Sequence, residues 1–575
     1  MTRLFNDPAD FPAELLEGFA AAYPEHVVQV PGGVVRATEH DEVAVVVGGG
    51  TGHYPTFCGL VGTGLAHGAA MGNLFSSPSA TQAVSVGRAA DRGRGVVYTF
   101  GNYAGDVLHF GEAAQRLGDE GIDARVVLVT DDIASAPADE RHKRRGIAGD
   151  LTVFKVLGAA AGEGRSLDDV VAIGERANDR TRSLGVAFSG CTLPGADEPL
   201  FTVPDGMMSV GLGIHGEPGI ADVPVPTADG LAELLVERLL ADLPDAVEGP
   251  DGQRAAVLLN GLGTVKYEEL FVVWRRVHEL LTAAGVTIVS PDLGELCTSL
   301  DMSGVSLTLF WLDDELERLW TTPSDCPGYR KGAAAPARQL DADERAELVR
   351  KASVSTAPIE PGTPESQAAA ARVVEALELL HATLVDAAAE LGRIDAVAGD
   401  GDHGIGMERG ARAAKDAGAA AAAAGAGAGT VLTRAGTSWS DVAGGTSGAL
   451  WGAALRAVGA RIGDHDDVDR GTLVAALLAG RDAITSTGGA IVGDKTMVDT
   501  LVPWGAALAD GASAADAARV AAESAVATAD LVPKLGRARP LAEKSLGTPD
   551  AGAVSMSLVI GALTAHLTQK EGADA

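Results

Sequence analysis

The first part of the chain sets short apolar runs between polar, glycine-rich turns. Val43–Val47, Gly95–Phe100 and Arg125–Thr130 are β-branched runs of strand length, each followed by such a turn. Ala255–Leu259 and Val286–Ser290 repeat the pattern, and Leu231–Leu243 reads as a helix between them. Strands alternating with helices predict an α/β sandwich with a largely parallel sheet. In such a sheet, ligands bind where loops leave the carboxyl ends of the strands.

The pattern changes near Gly332. Residues 332–365 are rich in proline and alanine around one charged helix, Asp341–Lys351, and read as a linker. Beyond it the spacing is helical over Ser366–Leu391, Gly404–Ala424, Gly445–Ile462, Arg470–Thr487, Thr496–Asp510, Ala514–Leu531 and Val554–Thr568. The expected organisation is therefore an α/β part over 1–331 and an all-α part over 366–575. Ala417–Gly429 is an Ala/Gly tract. Its glycines Gly425, Gly427 and Gly429 read as a loose interhelical turn, because the Lys-Ser/Thr pair of a phosphate loop is missing.

Charge narrows the function classes. The chain has 575 residues with 45 Lys+Arg against 78 Asp+Glu, a formal charge of −33. Such a surface repels phosphate backbones and anionic lipid, so neither nucleic acid nor membrane is an expected partner. It also repels a nucleotide, so any nucleotide site here needs local cations, most simply bound metal. Four scattered cysteines, Cys58, Cys191, Cys297 and Cys326, form no CxxC pair and argue against a disulfide framework. The first residues are acidic and lack the apolar stretch of a signal peptide. With Ala/Gly tracts discounted, no run reaches the roughly 18 apolar residues of a membrane span. The expected setting is cytoplasmic.

In the helical half, Asp395, Asp400 and Asp402 fall within DAVAGDGDHG at the end of a long helix. Glycines around them permit a sharp turn. Crowded carboxylates repel unless a cation lies between them, and hard oxygen donors suit Mg²⁺. A solvated Asx/Gly turn is the plain alternative. Gly445-Thr446-Ser447 opens a helix, where free amides and hydroxyls make an anion site; simple N-capping is the alternative. In the first half, His53 follows the strand-end glycines of GGGTGHYP, Asp106 follows GNYAG, and His215 sits between glycines in GLGIHGEPG. A neutral imidazole nitrogen can add to a carbonyl, and a carboxylate can take a proton from a hydroxyl. Each of these alone is weak, since a loop histidine is more often surface decoration.

Together these segments resemble the dihydroxyacetone kinase family over nearly the whole chain. GGGTGHYP, GNYAGDVLHF, RRGIAGD (Arg144–Asp150), GLGIHGEPGI and SLDMSGVSLTL resemble its ketose-binding domain. DAVAGDGDHG, GGTSGALWG, GDKTMVDTL and EKSLGTPDAGA resemble its nucleotide domain. The resemblance implies a two-part α/β substrate domain that dimerises, followed by an all-α eight-helix barrel. It implies an ATP-dependent kinase acting on a short ketose. His215 would hold the substrate carbonyl as a hemiaminal, Asp106 would be the base, and His53 would hydrogen-bond the substrate beside Gly50. Asp395, Asp400 and Asp402 would hold two Mg²⁺ ions on ATP. His403, Gly445, Thr446, Ser447 and Asp550 fall in its nucleotide loops.

Three departures flank the expected ketose pocket. Tyr54 replaces a usual glutamate, Thr56-Phe57-Cys58 lacks a usual histidine, and Gly101 replaces a usual lysine. Such variants resemble the family's erythrulose kinases. A ketose-sensing regulator and a phosphotransferase-system subunit without direct ATP turnover are the alternatives.

Overall fold

The computed structural model describes residues 3–353, 358–399, 401–465, 468–535 and 544–573. The chain divides into two compact units, Met1–Val354 and Ser355–Ala575.

The first unit holds two sheets. The N-terminal sheet is built from β1 (Val27–Val30), β2 (Gly33–Arg36), β3 (Ala44–Thr51), β4 (Gly68–Leu74), β5 (Val96–Gly101) and β6 (Ala124–Val129), in the order β1-β2-β4-β3-β5-β6. Strands β4, β3, β5 and β6 run parallel, and β1 and β2 add an antiparallel edge. β3 is buried at every residue, which is why its sequence is continuous rather than alternating. Helices α1 (Phe11–Ala22), α2 (Ala80–Ala90), α3 (Ala104–Asp119), α4 (Asp150–Gly162) and α5 (Leu167–Asp179) accompany it. Apart from its last residue, α4 is buried throughout. It shares one core with Val45 and Val47 of the first sheet and with Leu258 and Phe310 of the second. A helix without a polar face has to sit inside.

The second sheet comprises β7 (Thr181–Ser189), β8 (Met207–Val210), β9 (Ala221–Pro224), β10 (Arg254–Gly261), β11 (Thr287–Ile288), β12 (Asp292–Gly294) and β13 (Ser303–Leu312). Its order is β11-β10-β13-β7-β8-β9, with β12 also on β10. Only β11 and β12 pair in parallel; the other pairings are antiparallel. The expectation of a largely parallel sheet therefore holds for the first sheet alone. Loops rather than crossover helices join β7 to β8 and β8 to β9, and parallel pairing needs a crossover. Helices α6 (Ala228–Ala241) and α7 (Tyr267–Ala283) share a core with this sheet. α8 (Asp314–Thr321) and the small hairpin β14 (Ser324–Asp325) and β15 (Arg330–Lys331) follow. Part of the segment read as linker is α9 (Ala342–Ala352), which packs on α2 and β1 within the first unit.

The second unit contains eight α-helices among the described residues: α10 (Pro364–Asp395), α11 (His403–Ala423), α12 (Ala428–Ala443), α13 (Gly445–Ile462), α14 (Arg470–Gly488), α15 (Val498–Ala509), α16 (Ala514–Ala527) and α17 (Ala551–Ala573). Each packs on the next, and α17 returns to α10, so the ring closes. This is the expected barrel, with one helix that the spacing did not reveal. The Ala/Gly tract ends α11 and starts α12, with Gly425 in the left-handed region (φ 85°) as the break. An ideal Cβ on Gly436 of α12 would lie 2.7 Å from the Gly452 carbonyl oxygen of α13, and one on Gly459 would lie 2.6 Å from that of Gly429. The paired glycines let the two backbones approach, and Trp439 and Trp451 stack beside them at 5.0 Å.

Within α17, Ala551–Thr568 has mean hydropathy 1.5, long and apolar enough to span a membrane by length and composition. Discounting Ala/Gly tracts hid this window. The helix packs against α10, α15 and α16 in the ring.

Gly436→Val should lower the stability of the second unit by about 1–3 kcal/mol through overpacking. Gly561→Ala on α17, where an added Cβ meets nothing within 4 Å, should raise it by about 0.5–1 kcal/mol. Urea unfolding followed by tryptophan fluorescence reads both.

Candidate active site

In the first unit the two expected histidines meet. His53 follows β3, and His215 lies in the loop after β8. Their Nε2 atoms are 3.0 Å apart and both residues are buried. His53 Nδ1 lies 2.8 Å from the Thr298 carbonyl oxygen. Burial foremost, with the His215 charge next, pushes the His53 pKa down to about 3. Its ring stacks on Phe75 at 5.0 Å. Gly50 lacks a side chain for the same reason: an added Cβ there would lie 2.6 Å from the Ser76 nitrogen and 2.7 Å from Phe75.

His215 is held from behind by Glu217. Its Nδ1 lies 3.0 Å from Glu217 Oε1, and its backbone N–H donates to Glu217 Oε2 at 3.0 Å. The turn that allows this is closed by the Gly213 N–H on the Glu217 carbonyl oxygen. Gly213 also makes room, since a Cβ there would lie 2.1 Å from Glu217 Oε2. Arg145 Nη1 approaches that oxygen at 3.7 Å, and Arg145 Nε and Nη2 donate to Asp132 Oδ2 at 3.2 and 2.9 Å. Arg145 comes from RRGIAGD. The preceding Arg144 donates to both oxygens of Asp242, and Asp131 accepts the N–H groups of Ile147 and Gly149. Burial pushes the Asp131 carboxyl up to about 6.

Asp106 is buried in the first turn of α3. It is three residues past Tyr103, whose ring centroid is 4.6 Å from that of His215. Tyr103 is the residue that caps the start of α3, with extended backbone (φ −114°, ψ 143°), so α3 begins between the ring beside His215 and the Asp106 carboxylate. Of the three departures, Phe57 packs edge-on to His53 at 6.3 Å. A Cβ at Gly101 would meet Tyr103 at 2.9 Å and Gly146 Cα at 3.2 Å. Tyr54 does not flank this site: it is exposed, edge-on to Phe19 of α1 at 6.1 Å, because the chain turns outward after His53.

In the second unit Asp395 ends α10 and Asp402 precedes α11. Asp400 lies outside the described residues. Among the described residues no three His, Cys, Asp or Glu side chains converge tightly enough to count as a metal cluster. Asp395 Oδ2 accepts the His403 N–H at 3.3 Å. His403 Nε2 lies 3.0 Å from Ser555 Oγ, and its Nδ1 lies 3.5 Å from Ser447 Oγ. The imidazole thus ties the aspartate loop to α17 and to the start of α13, where Gly445 (φ 59°) and Thr446 stand.

Asp395 and Asp550 line one small cavity with Lys495. Burial foremost, and then the carboxylates of Asp395 and Asp499, raises Asp550 to about 7. A divalent cation relieves such crowding, so the hard oxygen donors fit Mg²⁺.

Spacing alone missed Glu217, Arg145 and Lys495. Lys495 Nζ donates to the carbonyl oxygens of Leu531 and Ser545 and to Ser545 Oγ, tying together the loops around that cavity. The signals were present inside quoted motifs: a carboxylate two residues after His215, and a lysine after Gly-Asp.

Residues 17–328 match the Dak1 domain and residues 397–565 the DAK2 domain. The chain is 57% identical to the L-erythrulose kinase of Pectobacterium atrosepticum, over 99% of this chain and 97% of that one. It is 54% identical to the D-erythrulose kinase of Mycolicibacterium smegmatis, over 97% of each. The crystal structure of the dihydroxyacetone kinase from C. freundii in complex with AMP-PNP and Mg²⁺ aligns with a TM-score of 0.52 at 28% identity, covering 98% of this chain and 99% of that one. Both domain matches and full-length relatives agree, and the chain belongs to the dihydroxyacetone kinase family.

Proposed function

We propose that this ketose kinase uses ATP to phosphorylate a terminal hydroxyl of a short ketose, erythrulose ahead of dihydroxyacetone. The observation that carries the reading is the buried His53–His215 pair with Glu217 behind it. The names of full-length relatives at 57% and 54% identity support a four-carbon substrate. Gly101 stands where a lysine is usual, but its bare α-carbon is packed against Tyr103 and Gly146, so the support for a four-carbon substrate comes from the relatives.

In this mechanism His215 Nε2 bonds to the ketose carbonyl carbon, which fixes the terminal hydroxyl in place. Asp106 takes the proton from that hydroxyl as it attacks the γ-phosphate. The amides at the start of α13, with Gly445, Thr446 and Ser447, cradle the phosphates, and His403 and Asp550 shape the loops around them. Asp395, Asp402 and Asp400 would hold Mg²⁺, which when bound would supply positive charge to offset the phosphates. The reading includes a cytoplasmic homodimer; all four cysteines are free and buried, in keeping with a reducing compartment.

ADP release should follow Mg²⁺-ATP with one or both erythrulose enantiomers or dihydroxyacetone, and not with glycerol, which has no carbonyl for His215. Ketose binding without ADP release would favour the regulator instead. His215→Ala should cost about 100-fold or more in ketose turnover. Asp402→Asn should raise the Mg²⁺ needed for half-maximal rate by about tenfold or more. Steady-state titrations of ketose and Mg²⁺ check both.

A further inference from the structure

The hydrogen bonds around the two histidines contain a proton count. His53 Nδ1 faces a carbonyl oxygen at 2.8 Å, so it carries a hydrogen. His215 Nδ1 faces a carboxylate oxygen at 3.0 Å, so it carries one as well. Two bare Nε2 lone pairs would then face each other at 3.0 Å, which is repulsive. A third proton between them removes the conflict. The contacts assign that proton to His215, whose Nδ1 faces a carboxylate oxygen, whereas His53 Nδ1 faces only a neutral carbonyl oxygen. A buried imidazolium needs a counter-charge, and Glu217 is in contact with it. Glu217 is itself 1% exposed, and Arg145, tied to Asp132 at 2.9 Å, places a guanidinium 3.7 Å from its Oε2. The titratable and charged groups seen to face His215 include Glu217, His53 and Tyr103, with Arg145 and Asp132 behind Glu217.

We propose that Glu217, braced by Arg145, is a positioning residue that holds His215 as an imidazolium both before and after ketose capture, so that capture exchanges no net proton with solvent. This rests on the hemiaminal reading of His215. The step balances. The Nε2 proton of His215 passes to His53 Nε2 and on to the ketose carbonyl oxygen. The C=O π bond breaks into that new O–H bond as the freed Nε2 lone pair forms the N–C bond. His215 is left as an Nε2-alkylated imidazolium, its Nδ1–H still on Glu217 and its charge still offset there. His53 returns to the neutral form.

The test uses the full-length protein and the ketose it turns over fastest, labelled with ¹³C at the carbonyl. NMR reads the adduct fraction, and titration calorimetry in buffers of different ionisation enthalpy reads proton exchange. Wild type should show an adduct with a flat profile from about pH 6 to about pH 8 and no net proton taken up. Glu217→Gln should form about 10- to 100-fold less adduct at neutral pH, and that adduct should fall about tenfold per unit of rising pH, because capture now takes a proton from solvent. Glu217→Asp should restore the flat profile. A weaker adduct in Glu217→Gln with the wild type's flat profile makes Glu217 a packing residue and overturns the proposal. So does uptake of about one proton by wild type, a result that needs no variant to fold. Wild-type turnover without any adduct fails the hemiaminal reading itself.

Discussion

The histidine site of the first unit depends on one buried charge. Arg145 is 8% exposed and stands between Asp132 and Glu217, both almost wholly buried. Removing a guanidinium and two carboxylates from water is costly, and the arrangement is stable only as a set. Asp132 belongs to the segment that leaves β6 and crosses to β7: Ser183 donates its N–H to Asp131, and Ile133 donates its N–H to Ser183. The ion cluster therefore sits where the two sheets join. From that anchor Glu217 reaches His215, and His215 reaches His53 at the end of β3. A strand from one sheet and a loop from the other are thus locked to a common geometry.

The helical unit solves a different problem. Its ring needs close contact between α12 and α13, and the facing glycines supply it. Its loop end gathers acidic side chains with Lys495, whose ammonium is already committed to loop carbonyl oxygens. That lysine fixes the loops without offering a compact cation to a phosphate. Excess negative charge at this end is what a divalent cation is suited to offset.

Much was legible from residues alone. Continuous apolar runs marked β3, β5, β6 and β10, and helical spacing marked most of the ring. The motif glycines marked where backbones approach closely. The antiparallel second sheet was not legible, because connection type, not strand composition, decides direction. α12 was hidden because alanine and glycine carry no hydrophobic contrast for periodicity to register. Tyr54 was placed at the pocket by adjacency to His53, yet the chain carries it outward against α1.

The sequence by itself determined the two-part organisation and the family, and singled out His53, Asp106, His215 and the aspartates as candidates, since those are properties of local motifs and their order. Only the tertiary structure decided that His53 and His215 touch, that Glu217 and Arg145 stand behind them, and that Tyr54 does not. These are contacts between residues far apart in the chain. They are set by the packing of two sheets around α4, where burial, rather than residue type, makes a charge need a partner.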